Sequence, residues 1–464
     1  MKFPADFNWG VATSSYQIEG ATSADGRGPS IWDTFCATPG KVVNAESGDV
    51  ACDHYHRYPE DIAIMKELGV TSYRFSISWP RLFPNGDQVR EERGFTFYNN
   101  LINELLANDI EPIVTLYHWD LPQALEDKGG WANREIVKSF ADYATACAQA
   151  FGDRVTNWIT LNEPWVFTWL GYLAGVHAPG RTELAASIAA AHHTSLAHAQ
   201  GLRAIKSVNP DFKVGIALNM SNYRVTDESN PELRRVESLL DGHLNRWWLD
   251  AMYYGQYPSE VVAELGENLG RVFLPGDAEL IQTQTDFIGV NYYSDNFISA
   301  PKPDQFTNKV SGHFPFVVNF DSSAPLPHTD MGWPITPTGL YDLLVRINRD
   351  WPMVTNIAIT ENGAAYPEEP DEDGIVFDER RVTYLETHLT AVADAIADGV
   401  PVASYFAWSL MDNFEWAEGY AKRFGLVHVD FKTLERTLKN SAKYYQDVIK
   451  QQRTHGNPAL ISLA

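Results

Sequence analysis

Eight short apolar runs, separated by stretches of helical periodicity, constrain this chain more than any other feature. The runs occupy 7–12, 72–79, 112–117, 158–161, 214–218, 287–290, 357–360 and 402–408. Between them apolar residues recur at i, i+3, i+4 and i+7, as in 59–69, 140–151 and 384–396, which predicts amphipathic helices. Gly69 stands where a left-handed C-cap is expected. Strands that are apolar throughout, alternating with helices, predict parallel pairing with both sheet faces covered. Eight such units close a (β/α)8 TIM barrel, an α/β fold with long loops at its C-terminal face. Pro, Gly and charge are spread evenly and no low-complexity tract occurs, so the 464 residues read as a single barrel spanning 1–464. Two long connections are expected, from 293 to about 333 after the sixth strand and from 409 to about 429 after the eighth.

Composition narrows the partners. Sixty acidic against 36 basic residues give a formal charge of −24, which repels nucleic acid and anionic lipid. No 18-residue apolar stretch is present, and Met1-Lys2-Phe3-Pro4 begins no signal peptide, so neither a membrane nor a nucleic acid is expected as a partner. Cys36, Cys52 and Cys147 have no metal-ligand or CxxC spacing; together with the missing signal they point to a reducing cytoplasm. Self-association into a homo-oligomer is left open. Fourteen Trp among 12% aromatic residues exceed what a core alone needs, whereas indoles stack well on the apolar faces of sugars.

The apolar runs end in residues that a hydrophobic core would not select. Gln17 and Glu19 follow the first, and Arg74 lies within the second. Tyr117-His118-Trp119-Asp120 closes the third and Asn162-Glu163-Pro164 the fourth. Asn219-Met220-Ser221-Asn222 follows the fifth, Asn291-Tyr292-Tyr293 the sixth and Glu361-Asn362-Gly363 the seventh. Trp408 through Trp416, including Glu415, follows the eighth. In a barrel these ends converge on one rim, placing amides, an imidazole, a guanidinium, indoles and two carboxyls together. Amides match the donor and acceptor pair of each sugar hydroxyl, and two carboxyls permit acid-assisted attack at an anomeric carbon. Each motif alone has a duller explanation. Asn362-Gly363 reads as a tight turn, Asn162-Glu163-Pro164 as a helix start, and His192, His193 and His198 as helix surface or packing. Residues 368–374 imitate a calcium loop but have Ile375 where a ligand is required. Caps and turns do not account for eight polar or aromatic strand ends at once.

These residues resemble glycoside hydrolase family 1, a family of β-glucosidases built on (β/α)8 barrels. Residues 7–20, Thr160-Leu161-Asn162-Glu163-Pro164 and Ile359-Thr360-Glu361-Asn362-Gly363 are similar to its opening, acid/base and nucleophile motifs, and the likeness runs from about residue 3 to 449. Pro334 departs from the pattern, which has an acidic residue there. The resemblance implies a retaining β-glycosidase that hydrolyses β-glucosides of aryl alcohols and short oligosaccharides such as cellobiose, needing no metal or organic cofactor. It implies Glu361 as nucleophile and Glu163 as general acid and base. Arg74, Asn162, Tyr293 and Asn291 would support them. Gln17, His118, Trp119, Asn162, Trp408, Glu415, Trp416 and Phe424 would bind the sugar, with Trp165 and Trp333 on the aglycone side. Glu415 would repel a phosphate, which argues against 6-phospho-glycosides, and the retained Glu163 argues for O-glycosides over thioglycosides. A non-catalytic sugar binder on the same barrel has no use for the acid. An aldolase would need a Schiff-base Lys or a phosphate loop where Glu361 and Trp408 stand.

Overall fold

The computed structural model describes residues 1–299 and 326–456. Eight parallel strands form a closed barrel: β1 (Asn8–Ala12), β2 (Ser72–Ser76), β3 (Glu111–Tyr117), β4 (Asn157–Asn162), β5 (Lys213–Asn219), β6 (Phe287–Asn291), β7 (Ile357–Asn362) and β8 (Val402–Trp408). Each strand pairs with its sequence neighbours, and β8 returns to β1 through Asn8–Ser404 to Ala12–Trp408. The eight predicted runs all fall on these strands. The second run is shorter as a strand than predicted, because Trp79–Leu82 turns into helix. The seventh is longer and carries Glu361 and Asn362 within β7.

The helices α1 (His54–Leu68), α2 (Glu92–Ala107), α3 (Ile136–Phe151), α4 (Leu184–Val208), α5 (Pro231–Asp241), α6 (Trp247–Tyr254), α7 (Pro337–Asp350), α8 (Glu379–Ala397) and α9 (Asn440–Gly456) follow the strands. Helix α1 begins five residues before the expected Pro59 and contains it. Burial of His54, Ile62, Met65 and Leu68 and a 2.7 Å contact from His54 Nδ1 to Asp61 hold the extra turn despite the missing N–H. Gly69 ends α1 with φ 74°, as predicted. His192, His193 and His198 are packing residues rather than surface: His192 meets Tyr257 at 3.0 Å and Asp277 at 2.8 Å, and His198 meets Thr160 at 2.7 Å.

Two apolar layers flank the strands. Ile113, Ile159, Ala217, Phe287, Ala358 and Phe406 fill the barrel interior, while a much larger cluster lies between strands and helices. This is the expected inside-and-out burial of parallel strands. At the C-terminal end, Tyr223–Val225 pairs with Asn296–Ile298, and Val427–Val429 pairs with Arg436–Leu438. Of the long connection expected at 293–333, residues 300–325 lie outside the described residues. The connection after β8 is fastened at Asp412, whose carboxylate accepts from Lys439 Nζ at 2.7 Å, Arg423 Nη1 at 2.9 Å and the Gly425 amide at 2.9 Å. No described helix is long and apolar enough to cross a membrane.

Gly363 is not the turn glycine that Asn362-Gly363 suggests, since neither residue has positive φ. It is a close-approach glycine: a Cβ there would lie 1.7 Å from the Trp408 carbonyl oxygen. Gly363→Ala must therefore push the ends of β7 and β8 apart. A loss of about 3 kcal/mol or more is expected, read as a lower denaturant midpoint; an unchanged midpoint contradicts this packing.

Candidate active site

Arg74 stands on β2 with its guanidinium fully buried inside the barrel mouth. It donates to Glu361 Oε1 at 2.7 Å, the Thr360 carbonyl at 2.9 Å, Asn162 Oδ1 at 2.6 Å and Thr115 Oγ1 at 3.2 Å. One cation thus ties β2 to β3, β4 and β7. The second oxygen of Glu361 accepts from the Tyr293 hydroxyl at 2.7 Å. Across the mouth, Asn291 at the end of β6 donates to Glu163 Oε1 at 2.9 Å and Asn162 Oδ1 at 3.0 Å, and accepts from Thr360 Oγ1 at 2.6 Å. Glu163 has left-handed backbone, φ 48°. Its amide still donates to the Ala217 carbonyl at 2.8 Å, so the residue turns out of β4 while remaining fixed to β5. That conformation is costly for a residue with a Cβ, and such positions concentrate at functional sites.

Both carboxyls line one cavity of about 460 Å³. Burial, the negative Glu361 and, more weakly, Glu415 push the Glu163 carboxyl up to about 8, against Asn291 and Arg74. Burial also raises Glu361, opposed by the Arg74 cation and the hydroxyl of Tyr293. Because Arg74 and Tyr293 bond Glu361 directly, the shared proton resides on Glu163.

The amide of Asn162 orders the adjoining imidazole. Its Oδ1 is occupied by Arg74 and Asn291, which turns Nδ2 toward His118 Nε2 at 3.0 Å. His118 Nε2 must then accept, so its hydrogen sits on Nδ1. That Nδ1 is buried and has no partner among the described residues, leaving a donor for a hydroxyl of whatever enters. Burial and the Arg74 charge hold the imidazole well below its ordinary value, hence neutral. The ring lies nearly parallel to Trp408 and Trp416, at 5.7 and 5.9 Å between centroids. Trp119 donates its indole N–H to the Asn162 carbonyl at 3.0 Å.

The expected residues are placed unequally. His118, Trp119, Glu163, Trp165, Asn291, Tyr293, Trp333, Glu361, Trp408, Glu415, Trp416 and Phe424 all line the cavity. Arg74, Asn162 and Gln17 stand behind the wall, each fully buried. Gln17 Nε2 donates to Asn413 Oδ1 at 3.0 Å and the Phe414 carbonyl at 2.9 Å, with Glu415 Oε2 at 3.4 Å; Gln17 Oε1 accepts from Ser14 at 2.6 Å. It positions the loop that carries Glu415, and a hydroxyl would have to share its amide. Burial, with Glu361 and Glu418, pushes Glu415 up to about 8. Phe424, Tyr293 and Trp333 pack together at 5.4–6.1 Å between centroids. Leu170, His177, Met220, Tyr223, His243 and Leu244 also line the cavity and were not singled out as binding residues from sequence. Among the described residues no group of three or more His, Cys, Asp or Glu could hold a metal ion.

Known proteins share this architecture. The profile of glycosyl hydrolase family 1 matches residues 1–454. The chain is 46% identical to β-glucosidase A of Thermotoga maritima, covering 97% of this chain and 98% of that protein. It is 42% identical to a bifunctional β-D-glucosidase/β-D-fucosidase of Bifidobacterium breve, covering 97% and 98%. The structure of the T. maritima family 1 β-glucosidase in complex with isofagomine lactam superposes with a TM-score of 0.91 at 45% identity, covering 97% of this chain and 99% of that one.

Removing the charge of Glu361 tests the shared electrostatics. In Glu361→Gln the like-charge contribution is lost, so the Glu163 carboxyl should titrate below 8 while burial keeps it above an ordinary glutamate. Carbon-13 NMR of the side-chain carboxyls reads this directly; a value at or above that of the unaltered protein contradicts it.

Proposed function

The chain belongs to glycosyl hydrolase family 1, and from that membership we propose a retaining β-glucosidase that removes terminal non-reducing β-D-glucosyl residues from aryl glucosides and short oligosaccharides such as cellobiose. The single observation that carries this reading is the unequal support of the two carboxyls in one cavity. Glu361 is clasped by Arg74 and Tyr293, whereas Glu163 is pushed up to about 8 and bonded by Asn291. Retaining chemistry wants this division between an ionised nucleophile and a protonated acid.

In the first step a Glu361 oxygen attacks the anomeric carbon. The bond to the leaving oxygen breaks, and Glu163 gives that oxygen its proton. Once Glu361 is esterified its charge is gone, so the Glu163 carboxylate that remains loses its strongest like-charge neighbour. Its proton affinity falls, as suits a base that must next take a proton from water. Water then attacks the same carbon, the ester bond breaks, and the configuration is retained. Arg74 and Tyr293 receive the carboxylate charge back without rearrangement, a preorganised environment. Asn162 has one Nδ2 hydrogen beyond its bond to His118, suited to a sugar hydroxyl near the anomeric carbon. His118 Nδ1–H and Glu415 offer a donor and an acceptor farther out, and Trp408 and Trp416 supply flat apolar surface.

This reading makes residues 1–464 one catalytic barrel, without nucleic-acid or membrane partners. Cys36, Cys52 and Cys147 are free and buried, which supports a reducing, cytoplasmic home. A non-catalytic sugar binder would gain nothing from a raised, buried Glu163.

Two variants test the roles. Glu361→Gly should lose about 10⁴-fold or more in rate, with azide partly restoring turnover and yielding the inverted α-glucosyl azide by NMR. Hydrolysis near the unaltered rate excludes Glu361 as nucleophile. Glu163→Ala should retain glycosylation by 2,4-dinitrophenyl β-glucoside, whose leaving group needs no proton, while cellobiose turnover falls by about 10³-fold or more. Equal losses exclude Glu163 as the acid. In the unaltered enzyme kcat/KM should fall on the alkaline side near 8, where Glu163 loses its proton, and on the acid side where Glu361 gains one.

A further inference from the structure

His243 belongs to no motif discussed above, yet it lines the same cavity as the two glutamates and is 2% exposed. It sits on a wider, π-type turn, Gly242–Arg246, between α5 and α6; such turns recur at functional sites. The turn is pinned on two sides. Asp241 accepts from Arg346 at 2.6 and 2.7 Å and from Arg246 at 2.7 Å. Asn245 donates to the Ser221 carbonyl and to Asp241, both at 2.8 Å. The imidazole is therefore carried on a rigid mount.

From that mount Nδ1 meets the Trp165 indole N–H at 2.8 Å. An indole nitrogen only donates, so Nδ1 is the acceptor and the imidazole is neutral. Burial, which lowers this histidine to about 3, keeps it so through any working pH. The ring is further fixed against Trp169, with centroids 4.0 Å apart at 64°, and meets Trp165 edge-on at 6.0 Å and 88°. Trp165 lies two residues beyond Glu163 and is only half-buried, lining the cavity beside Val166, Leu170 and Leu244. A half-exposed indole on a cavity wall has rotamer freedom unless something holds it. Among the described residues, the indole N–H is held by His243 Nδ1 alone.

We infer that His243 is the positioning residue that fixes the Trp165 indole in the leaving-group half of the cavity, and that it thereby sets this enzyme's preference for leaving groups with a flat apolar face, such as an aryl ring. The inference rests on the proposed β-glucosidase function and adds to it the residue that governs aglycone selection. A fixed indole loses no rotamer entropy when a ring stacks on it, so the stacking energy goes into binding. The effect is confined to the glycosylation step, because the aglycone has left before water attacks.

The test compares kcat/KM for phenyl β-D-glucoside, whose ring occupies the leaving-group half, with β-D-glucosyl fluoride, whose single-atom leaving group reaches none of it. His243→Phe keeps a ring and withdraws the acceptor. It should lower kcat/KM about tenfold on the phenyl glucoside, the order of one buried hydrogen bond, and less than about twofold on the fluoride. His243→Gln, whose amide oxygen can accept from the indole, should restore the phenyl glucoside to within about threefold. Trp165→Phe should reproduce the loss, and adding His243→Phe to it should cost nothing more. Equal losses on both substrates, no rescue by Gln, or additive losses in the double variant overturn the inference. Should His243→Phe fail to fold, His243→Leu is read against His243→Gln in the same way. Absence of fluoride turnover by the unaltered protein would instead overturn the β-glucosidase reading itself.

Discussion

A guanidinium with no access to water organises this barrel's mouth. Burying Arg74 would be severely unfavourable alone, since a desolvated cation must recover its hydration from protein acceptors. It does so with Glu361, Asn162, Thr115 and the Thr360 carbonyl, which lie on three other strands. The cation can be satisfied only when β2, β3, β4 and β7 are in register. Closing the barrel and assembling the carboxyl pair are therefore one event. The same contacts hold Glu361 near the cation and leave Glu163 with the negative field and the burial, so the unequal proton affinities are a consequence of strand order.

From that centre the polar order spreads outward by hydrogen-bond logic. Arg74 and Asn291 fix the orientation of the Asn162 amide, the amide fixes the His118 tautomer, and the imidazole in the cavity wall is left with a buried donor that no described residue takes. On the far side Gln17 braces the loop that presents Glu415 and Trp416, itself anchored at Asp412 by Lys439 and Arg423. The two halves of the cavity are thus built differently. The half beside Glu361 has buried amides, carboxyls and parallel rings; the half beside Trp165 is walled largely by aliphatic and indole side chains.

The barrel was legible because its signal is collective. Eight apolar runs at helix-length spacing admit few arrangements, and the polar residues ending each run follow from the rule that sites gather at strand C-termini. Glu163 and Glu361 were singled out among the acids at those ends by the resemblance of their motifs to family 1. What stayed hidden depends on three-dimensional contacts without local periodicity. The extra turn of α1 before Pro59 needs the His54–Asp61 pair. The burial of His192 needs Asp277 and Tyr257 from later in the chain. The place of Gln17 in the loop after β8 needs Asn413 and the Phe414 carbonyl, partners contributed nearly four hundred residues away. His243 carried no motif because its partner, Trp165, stands 78 residues earlier and meets it only when the turn after α5 is folded. Gly363 looked like a turn glycine because Asn-Gly most often is one; only the approach of the Trp408 carbonyl reveals its purpose.

The division of labour between the carboxyls is tested most directly by trapping the ester. A 2-deoxy-2-fluoro-β-glucosyl fluoride slows both steps, yet its fluoride leaves without needing an acid, so the covalent species accumulates. Peptide mapping by mass spectrometry should then find one fluoroglucosyl group, attached at Glu361, with inactivation and labelling advancing together. Label on Glu163, or time-dependent loss of activity with no label on either residue, would contradict the account.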